Sequence, residues 1–182
     1  MDDMTSTSFT QFLAKVAEDK PAAILELGTR KWGTQSTNHK HLFADYEHYE
    51  MADFIDGEDV TIVSDAHNLK EFQSDVFDCV FTASTFEHIQ FPWVAACAIK
   101  RVLKSGGLLF VQTHQTLPIH GYPHDYTRWS DEGLRSLFEW AGFHVVVADM
   151  FDRCTIQPRH DYPVWDFNAP AYIGVACFGI KP

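Results

Sequence analysis

The side chains best suited to chemistry lie in one loop, PIHGYPHDYTRWS, at residues 118–130. A solvated loop needs only turn-forming and polar residues, so this concentration of reactive and aromatic groups predicts the wall of a ligand pocket. The candidates for binding a substrate there are His120, Tyr122, Asp125, Tyr126 and Arg128. Arg128 could bind a carboxylate of the substrate or pair with Asp125, and the two interpretations carry similar weight.

Histidine is the obvious candidate for a general base, and the chain has 10 of them. An imidazole with a pKa near about 6.5 can take the proton that a hydroxyl group loses when it reacts. His88 and His114 follow two predicted strands, and His124 lies in the loop. We therefore take these three as candidate catalytic residues, although a single histidine is more often a structural group.

A metal site is the other interpretation of the same loop. His120, His124 and Asp125 have the spacing HxxxHD, which suits a divalent ion when the ligands share a helix face. Pro123 disfavours a helix at this position. We therefore expect no metal site.

The elements that must position these groups alternate between strands and helices. Amphipathic segments predict helices at residues 6–19, about 91–103 and 130–141, with the Gly106 and Gly107 pair ending the second. One further helical segment is expected between about residues 33 and 46. Seven short apolar runs predict strands, and they are AAILELG, HYEMADF, DVTIVSDA, FDCVFTAS, LLFVQTH, FHVVVADMF and YIGVACFGI. This alternation predicts an α/β fold with a doubly wound, Rossmann-like, mostly parallel seven-stranded sheet that ends in an antiparallel hairpin.

The chain length and the gap after the second strand define the organisation further. The 182 residues fit one domain. We expect an N-terminal helix in 1–20, a core in 22–150, an irregular loop in 152–170 and a last strand in 171–180. Only FIDGEDV separates Asp53 from Thr61, and a parallel crossover usually needs about a dozen residues. The connection after the second strand should therefore be abbreviated.

Acidic residues stand at the ends of successive strands, where ligands bind in doubly wound sheets. Glu26, Asp53 and Asp65 occupy these positions, and Gly28 allows a sharp turn after the first strand. Carboxylates suit a cationic ligand that carries hydroxyl and amine donors and no phosphate. The turn GTRKWG lacks the GxGxxG spacing of dinucleotide sites, which disfavours a nicotinamide cofactor.

Five motifs occur in the order ELG, the acid that ends the second strand, DAHNL, FDCVFTASTFEHI and RVLKSGGLLFV. In this order they resemble the class I S-adenosylmethionine-dependent methyltransferases over about residues 22–150. The segments DGEDVTIVSDAHNL and YPHDYTRWSDEGLRSLFEWAGF are similar to a bacterial small-molecule branch of that class.

The resemblance implies S-adenosylmethionine as cofactor and S-adenosylhomocysteine as product. It implies that the first turn contacts the methionine part of the cofactor and that the acid at the end of the second strand binds the ribose. The segment after the third strand should contact the adenine, and the segment after the fourth strand should lie beside the sulfonium. The implied cofactor residues are Glu26, Gly28, Thr29, Asp53, Asp65, Ala66, His67 and Ser84. One departure is Arg30, which stands where the family has a second glycine, while Gly33 follows three residues later.

The reaction expected from this resemblance is methyl transfer to an oxygen or nitrogen of a small molecule. Two alternatives stay open. The same fold and cofactor could serve cyclisation or cleavage of S-adenosylmethionine, or the chain could be a non-catalytic binding module.

Charge and composition limit the partners. The formal net charge of −11 disfavours nucleic acid, and no apolar run approaches the roughly 18 residues of a membrane span. The start of the chain, MDDMTSTSF, lacks the pattern of a secretory signal, and the four cysteines show no CxxC pairing. We therefore expect a cytoplasmic location, no nucleic-acid or membrane partner and a small-molecule substrate, while the sequence indicates no oligomeric state.

Overall fold

The computed structural model describes residues 6–31, 33–34, 38–121, 124–160, 166–167 and 169–182. Its α-helices are α1 (Thr7–Asp19), α2 (Pro92–Val102) and α3 (Asp131–Trp140). Its strands are β1 (Ala23–Leu27), β2 (His48–Asp53), β3 (Ile62–Val63), β4 (Phe77–Ala83), β5 (Leu103–His114), β6 (His144–Cys154) and β7 (Ala171–Ile180). Tyr122, one of the predicted substrate residues, lies outside the described residues.

The strands form one sheet in the order β3, β2, β1, β4, β5, β7, β6. The first five positions of this order run parallel, and β7 pairs antiparallel with both β5 and β6. The predicted α/β fold with a mostly parallel seven-stranded sheet is confirmed. The two late strands, β6 and β7, are the expected antiparallel pair. Strand β7 lies between β5 and β6, and β6 forms the edge of the sheet.

Helices cover both faces of the sheet. On one face, Ile99 of α2 and Phe138 of α3 are fully buried against the strands. On the other, Phe12 and Val16 of α1 pack against the sheet. The central strands are apolar along most of their length because both of their faces are covered. No helix in the described ranges has the length and apolar composition to cross a membrane.

The start of β5 differs from the prediction that the glycine pair ends the second helix. That prediction is wrong, because α2 ends at Val102 and the two glycines lie inside β5. Gly106 has φ of 79°, and its N–H donates to the Lys181 carbonyl at 2.8 Å. Lys181 N–H in turn donates to the Gly107 carbonyl at 3.0 Å. The pair therefore makes an irregular strand start that is held by the end of the chain.

Two segment boundaries also differ. In the described part of residues 33–46, the helical structure is a short 3-10 helix at Lys40–Leu42. Strand β6 continues to Cys154, so the irregular segment that was predicted from residue 152 begins later.

The connection after β2 is abbreviated, as predicted. Residues 54–61 contain no helix. Thr61 N–H donates to the Met51 carbonyl at 2.8 Å, and the Thr61 hydroxyl donates to Glu50 at 2.7 Å. These bonds hold β3 beside β2 without a crossover helix.

The described residues of the 118–130 loop, 118–121 and 124–130, lie at the carboxyl ends of the central strands. Trp129 N–H donates to the His114 carbonyl at 3.0 Å, and Tyr126 N–H donates to the Glu87 carbonyl at 2.7 Å. The loop ends at Ser130, whose hydroxyl caps α3 by accepting the Gly133 N–H.

Candidate active site

A cavity of about 870 Å³ opens at the carboxyl end of the parallel strands. Its walls come from the segments after β1, β2, β3 and β4 and from the 118–130 loop. The predicted site residues that line it are Gly28, Asp53, Asp65, Ala66, His67, Ser84, His88, His120, His124 and Tyr126. The strand order reverses between β1 and β4, which is where doubly wound sheets bind ligands. The volume lies within the range of about 300–1,000 Å³ that is usual for small-molecule sites.

Asp53 ends β2 at the cavity wall. Its Oδ2 accepts the Arg30 N–H at 3.2 Å, and its Oδ1 accepts the Ile55 N–H at 3.0 Å. An ionised carboxylate has about four lone-pair positions, so the group can accept two further donors. A pair of adjacent hydroxyl groups would satisfy that capacity.

Asp65 and His67 form a second polar wall after β3. Asp65 Oδ1 lies 2.6 Å from His67 Nδ1 and accepts the His67 N–H at 2.9 Å. His67 Nε2 accepts the Phe91 N–H at 3.2 Å, which leaves Nδ1 as the ring nitrogen that donates to Asp65. Burial alone would raise the pKa of Asp65, but the hydrogen bonds from His67 lower it below the ordinary value. The half-exposed carboxylate is therefore an anionic acceptor at the cavity wall.

Two residues with positive φ shape the wall between β1 and β4. Gly28 has φ of 78°, and a Cβ there would lie 2.0 Å from Thr85 Oγ1. Ser84 has φ of 48°, and its N–H donates to the Gln112 carbonyl at 3.0 Å. Left-handed backbone at a residue other than glycine is strained, and such strain is common at ligand sites.

Two residues that the resemblance assigned to the cofactor are buried and do not line the cavity. Glu26 is 2% exposed, and its carboxylate accepts the Tyr49 hydroxyl at 2.6 Å and the His39 N–H at 2.9 Å. Thr29 is fully buried. The donors of its own chain occupy Glu26, so its part in cofactor binding stays a prediction with no geometric support.

Glu87 lies at the centre of a cluster of histidines. It belongs to a 3-10 helix, Phe86–His88, and its side chain is fully buried. Its Oε2 accepts the Thr113 hydroxyl at 2.7 Å, and its Oε1 lies 3.0 Å from His114 Nε2. Burial raises the pKa of Glu87, but His114 and the Thr113 hydroxyl outweigh it and lower the pKa below the ordinary value. Glu87 is therefore a buried carboxylate.

The same carboxylate oxygen faces two more imidazoles. His88 Nε2 is 3.7 Å from Glu87 Oε1, and His120 Nε2 is 3.8 Å from it. His88 and His120 line the cavity, whereas His114 is 13% exposed and stands behind them beside Glu87. The structure thus brings together two of the three predicted catalytic histidines and one predicted substrate residue around an acid that the sequence analysis missed.

The signal for Glu87 was present in the sequence. It is an acidic residue in the segment TFEHI, directly after a buried strand and next to His88. The other acids, Glu26, Asp53 and Asp65, lie within two residues of a strand end, whereas Glu87 comes four residues after β4 ends.

Arg128 and Asp125 pair with each other. Arg128 Nη1 lies 2.5 Å from Asp125 Oδ1, and Nη2 lies 2.7 Å from Oδ2. The Arg128 guanidinium holds the pKa of Asp125 well below its usual range. Arg128 also donates to the Leu117 and Pro118 carbonyls. Of the two interpretations, the structure shows the pair that braces the loop.

His124 contributes its backbone to the cluster as well as a side chain to the cavity. Its carbonyl accepts from His88 Nδ1, and its ring centroid lies 5.4 Å from that of Tyr126. The metal set considered from the sequence is not assembled, because the ligand atoms that converge among the described residues belong to Glu87, His114 and His120.

Comparison with known proteins finds a family that matches part of this chain. A family model described as a methyltransferase domain matches residues 36–111. The resemblance to class I S-adenosylmethionine-dependent methyltransferases is therefore confirmed, and it indicates S-adenosylmethionine as the cofactor. A search of curated proteins finds no match.

Solved structures share the fold of this chain at low identity. A SAM-dependent methyltransferase from Archaeoglobus fulgidus has a TM-score of 0.61 and 14% identity, over 94% of each chain. The 1,6-didemethyltoxoflavin-N1-methyltransferase of Burkholderia thailandensis, solved with its substrate and S-adenosylhomocysteine, has a TM-score of 0.60 and 12% identity, over 99% of this chain and 81% of the other. The (4+2)-cyclase SpnF has a TM-score of 0.61 and 16% identity, over 96% of this chain and 80% of the other.

The cavity fits S-adenosylmethionine. Its wall offers the carboxylates of Asp53 and Asp65 to hydroxyl and amine donors and to a positive charge. The first turn has Gly28 at the wall and lacks the GxGxxG spacing of a dinucleotide phosphate cradle. The lining thus matches a nucleoside with a sulfonium side chain.

Proposed function

We propose that this chain transfers a methyl group from S-adenosylmethionine to an oxygen or nitrogen atom of a small-molecule acceptor. One observation carries the proposal. A single cavity is lined at one side by Asp53 and Asp65 and at another by the histidines His88, His120 and His124. Groups that could bind the cofactor and groups that could accept a proton therefore line one cavity.

Asp53 and Asp65 are proposed to hold the cofactor. The free lone pairs of Asp53 suit the two ribose hydroxyls, and Asp65 at the end of β3 suits the exocyclic amine of adenine. Ser84 follows β4 on the same wall. When bound, S-adenosylmethionine supplies an electrophilic methyl group on a positively charged sulfur.

His88 is proposed to take the proton that the acceptor loses. Its Nδ1 lies 2.5 Å from the His124 carbonyl, which can only accept, so Nδ1 carries the hydrogen and Nε2 has the lone pair. The nearby Glu87 carboxylate would stabilise the imidazolium that forms. Positioning of the acceptor supplies much of the remaining rate enhancement. Roles of His114 and His124 as bases stay predictions.

The acceptor is proposed to be small and partly aromatic. Tyr126 and His124 form an aromatic pair on the cavity wall. The Burkholderia methyltransferase of similar fold, which has 1,6-didemethyltoxoflavin bound, supports a small-molecule acceptor. Nucleic acid is not a proposed partner, and a cytoplasmic location stays a prediction.

Product analysis tests this proposal. The protein is incubated with S-adenosylmethionine and a panel of small hydroxyl and amine acceptors, and the nucleoside product is identified by mass spectrometry. Methyl transfer yields S-adenosylhomocysteine together with an acceptor that has gained one methyl group. Methylthioadenosine as the product would overturn methyl transfer in favour of cofactor cleavage. A cyclic product formed from S-adenosylmethionine itself would favour the cyclisation alternative.

Substitution of Asp53 tests the cofactor assignment independently of the acceptor. We expect Asp53→Ala to weaken S-adenosylhomocysteine binding by about 10- to 150-fold, because a hydrogen bond to a charged group contributes about 1.5–3 kcal/mol. Tyr126→Ala is the matched control, since Tyr126 lines the same cavity on the proposed acceptor side. Isothermal titration calorimetry measures both. Equal affinity of Asp53→Ala and the unsubstituted chain would contradict the ribose assignment.

A further inference from the structure

Three imidazole nitrogens face one buried carboxylate oxygen. The Nε2 atoms of His114, His88 and His120 lie 3.0, 3.7 and 3.8 Å from Glu87 Oε1. Glu87 is fully buried, and its Oε1 has no donor in hydrogen-bonding geometry among the described residues. Such an oxygen costs free energy unless a positive charge or a donor lies beside it.

The outer hydrogen bonds of two of these histidines direct lone pairs at Glu87. His88 Nδ1 contacts the His124 carbonyl, and His120 Nδ1 lies 3.1 Å from the Pro118 carbonyl. A carbonyl oxygen only accepts, so in the neutral rings Nδ1 carries the hydrogen and Nε2 is bare. Metal-binding histidines usually have one ring nitrogen on such an acceptor and the other on the metal, and His120 has this arrangement, while His114 Nδ1 has no hydrogen-bond partner among the described residues. Bare nitrogens that face a carboxylate repel it electrostatically unless a cation lies between them.

The spacing of the ligand atoms fits a metal ion. The ligand atoms of Glu87, His114 and His120 all lie within 4.8 Å of one another. Zinc binds histidine nitrogen and carboxylate oxygen at about 2.0–2.2 Å, and tetrahedral ligands at those distances are separated by about 3.3–3.5 Å. The 3.0 and 3.8 Å distances from Glu87 Oε1 lie on either side of that value. Small rotations of the imidazoles would therefore close the set around one ion.

We propose that Glu87, His114 and His120 form a binding site for a divalent first-row transition metal such as Zn²⁺. One carboxylate and two imidazoles are a common ligand set for such ions and leave a coordination position open. His120 lines the cavity, so the open position faces the space assigned to the acceptor. His88, which lies outside the converging set, keeps its Nε2 for the proton.

The metal would bind an oxygen or nitrogen of the acceptor and lower its pKa, which extends the substrate class to molecules with a metal-coordinating hydroxyl group. This role rests on the proposed methyl transfer, whereas the metal site itself does not. The two proposals therefore need separate measurements.

Metal titration in the absence of cofactor and acceptor tests the site. The full chain is first treated with a chelator and then titrated with Zn²⁺ by calorimetry, and with Co²⁺ by absorption spectroscopy. We expect one Zn²⁺ per chain and the visible d–d bands of Co²⁺ with nitrogen and oxygen ligands. Mg²⁺ is the matched probe, because it prefers oxygen ligands in an octahedral arrangement and should bind far more weakly.

Single substitutions locate the bound ion. His120 is 40% exposed and lies in a loop, so His120→Ala should fold normally and weaken Zn²⁺ binding by about 100-fold or more, the upper end of the loss known for outer-shell partners. Glu87→Gln keeps the shape of the buried side chain and should have a similar effect. The control is His144→Ala, at an exposed histidine at the start of β6. Far-ultraviolet circular dichroism shows whether each variant is folded.

Two results would overturn the metal site. One is the absence of stoichiometric Zn²⁺ binding to the unsubstituted chain, which would assign the cluster to a proton held between Glu87 and His114. The other is binding that His120→Ala and Glu87→Gln leave unchanged while His144→Ala removes it. Failure of methyl transfer would be seen in the nucleoside products, and it would leave the metal titration unaffected.

Discussion

Gly28 illustrates how one missing side chain positions the wall of the cavity. Its φ of 78° and its contact with Thr85 both depend on the absence of a Cβ. The Thr85 hydroxyl in turn donates to the Ala83 carbonyl at 2.9 Å and lies 3.3 Å from the Leu27 carbonyl. The turn after β1 and the segment after β4 are thus held together at one atom. The sequence predicts a sharp turn at Gly28, and the structure adds packing against Thr85 as a second reason for a glycine there.

Gly28→Ala should therefore lower the free energy of unfolding by more than the strain of its backbone angle alone would. Left-handed backbone costs an alanine about 1–2 kcal/mol, and overpacking against Thr85 should add about 1–3 kcal/mol. Gly33→Ala is the control, because Gly33 has φ of 70° and open space around it. Urea unfolding at neutral pH measures both. Equal losses in the two variants would show that Thr85 does not limit the position.

Asp78 joins three neighbouring strands at their amino ends. Its Oδ2 accepts the Ala22 and Ala23 N–H groups at 3.2 and 2.9 Å, and its Oδ1 accepts Lys104 Nζ at 2.7 Å. Burial alone would raise the pKa of Asp78, but Lys104 and the two N–H groups lower it below the ordinary value. These contacts lie at the opposite end of the sheet from the cavity, so they serve the register of β1, β4 and β5.

The stabilisation by Asp78 should depend on pH. A carboxyl whose pKa is lower in the folded state stabilises the fold fully above its unfolded pKa of about 3.9, and the effect is lost as the pH falls through the folded-state value. We expect Asp78→Ala to lower the free energy of unfolding by about 1–3 kcal/mol at pH 7. In urea titrations at progressively lower pH, the difference in free energy of unfolding between the variant and the unsubstituted chain should become smaller. A difference independent of pH would mean that the lost contacts are not ionic.

The whole domain depends on α1 to cover one face of the sheet. Phe12 of α1 is fully buried, and its ring centroid lies 5.0 Å from Phe110, 5.8 Å from Phe81 and 5.8 Å from Phe178. These partners come from β4, β5 and β7, so one side chain of α1 packs against three strands. Loss of that contact should weaken the domain as a unit.

Phe12→Ala should lower the free energy of unfolding by about 3–5 kcal/mol, the usual cost of removing a buried aromatic ring. Domains of this kind have total stabilities of about 5–15 kcal/mol, so the variant should lose a large part of its stability. Trp140→Ala is the comparison, because Trp140 is 67% exposed and should change stability by about 0.5 kcal/mol or less. Similar unfolding midpoints for both variants would contradict a core role for α1.

Local patterns were enough to predict the strands, the helices and two walls of the site. Apolar runs and helical spacing report which side of an element is buried, and the helices at residues 7–19, 92–102 and 131–140 match the predicted segments closely. Asp53 and Asp65 were identified from the sequence because their positions at strand ends define where they lie in a parallel sheet. The glycine pair in β5 was misassigned because its hydrogen-bond partner, Lys181, is distant in sequence.

Convergence of distant side chains was decided only by the tertiary structure. Glu87, His114 and His120 come from a 3-10 helix, a strand end and a loop, and no local periodicity relates the directions of their side chains. The choice of Asp125 as the partner of Arg128 was likewise open in the sequence, because a carboxylate of the chain and one of a substrate are chemically alike. The amino-acid sequence therefore determined the fold and the placing of Asp53 and Asp65 at the cavity wall. The three-dimensional packing determined which charges meet at its other side, because such contacts depend on how the loop crosses the ends of the strands.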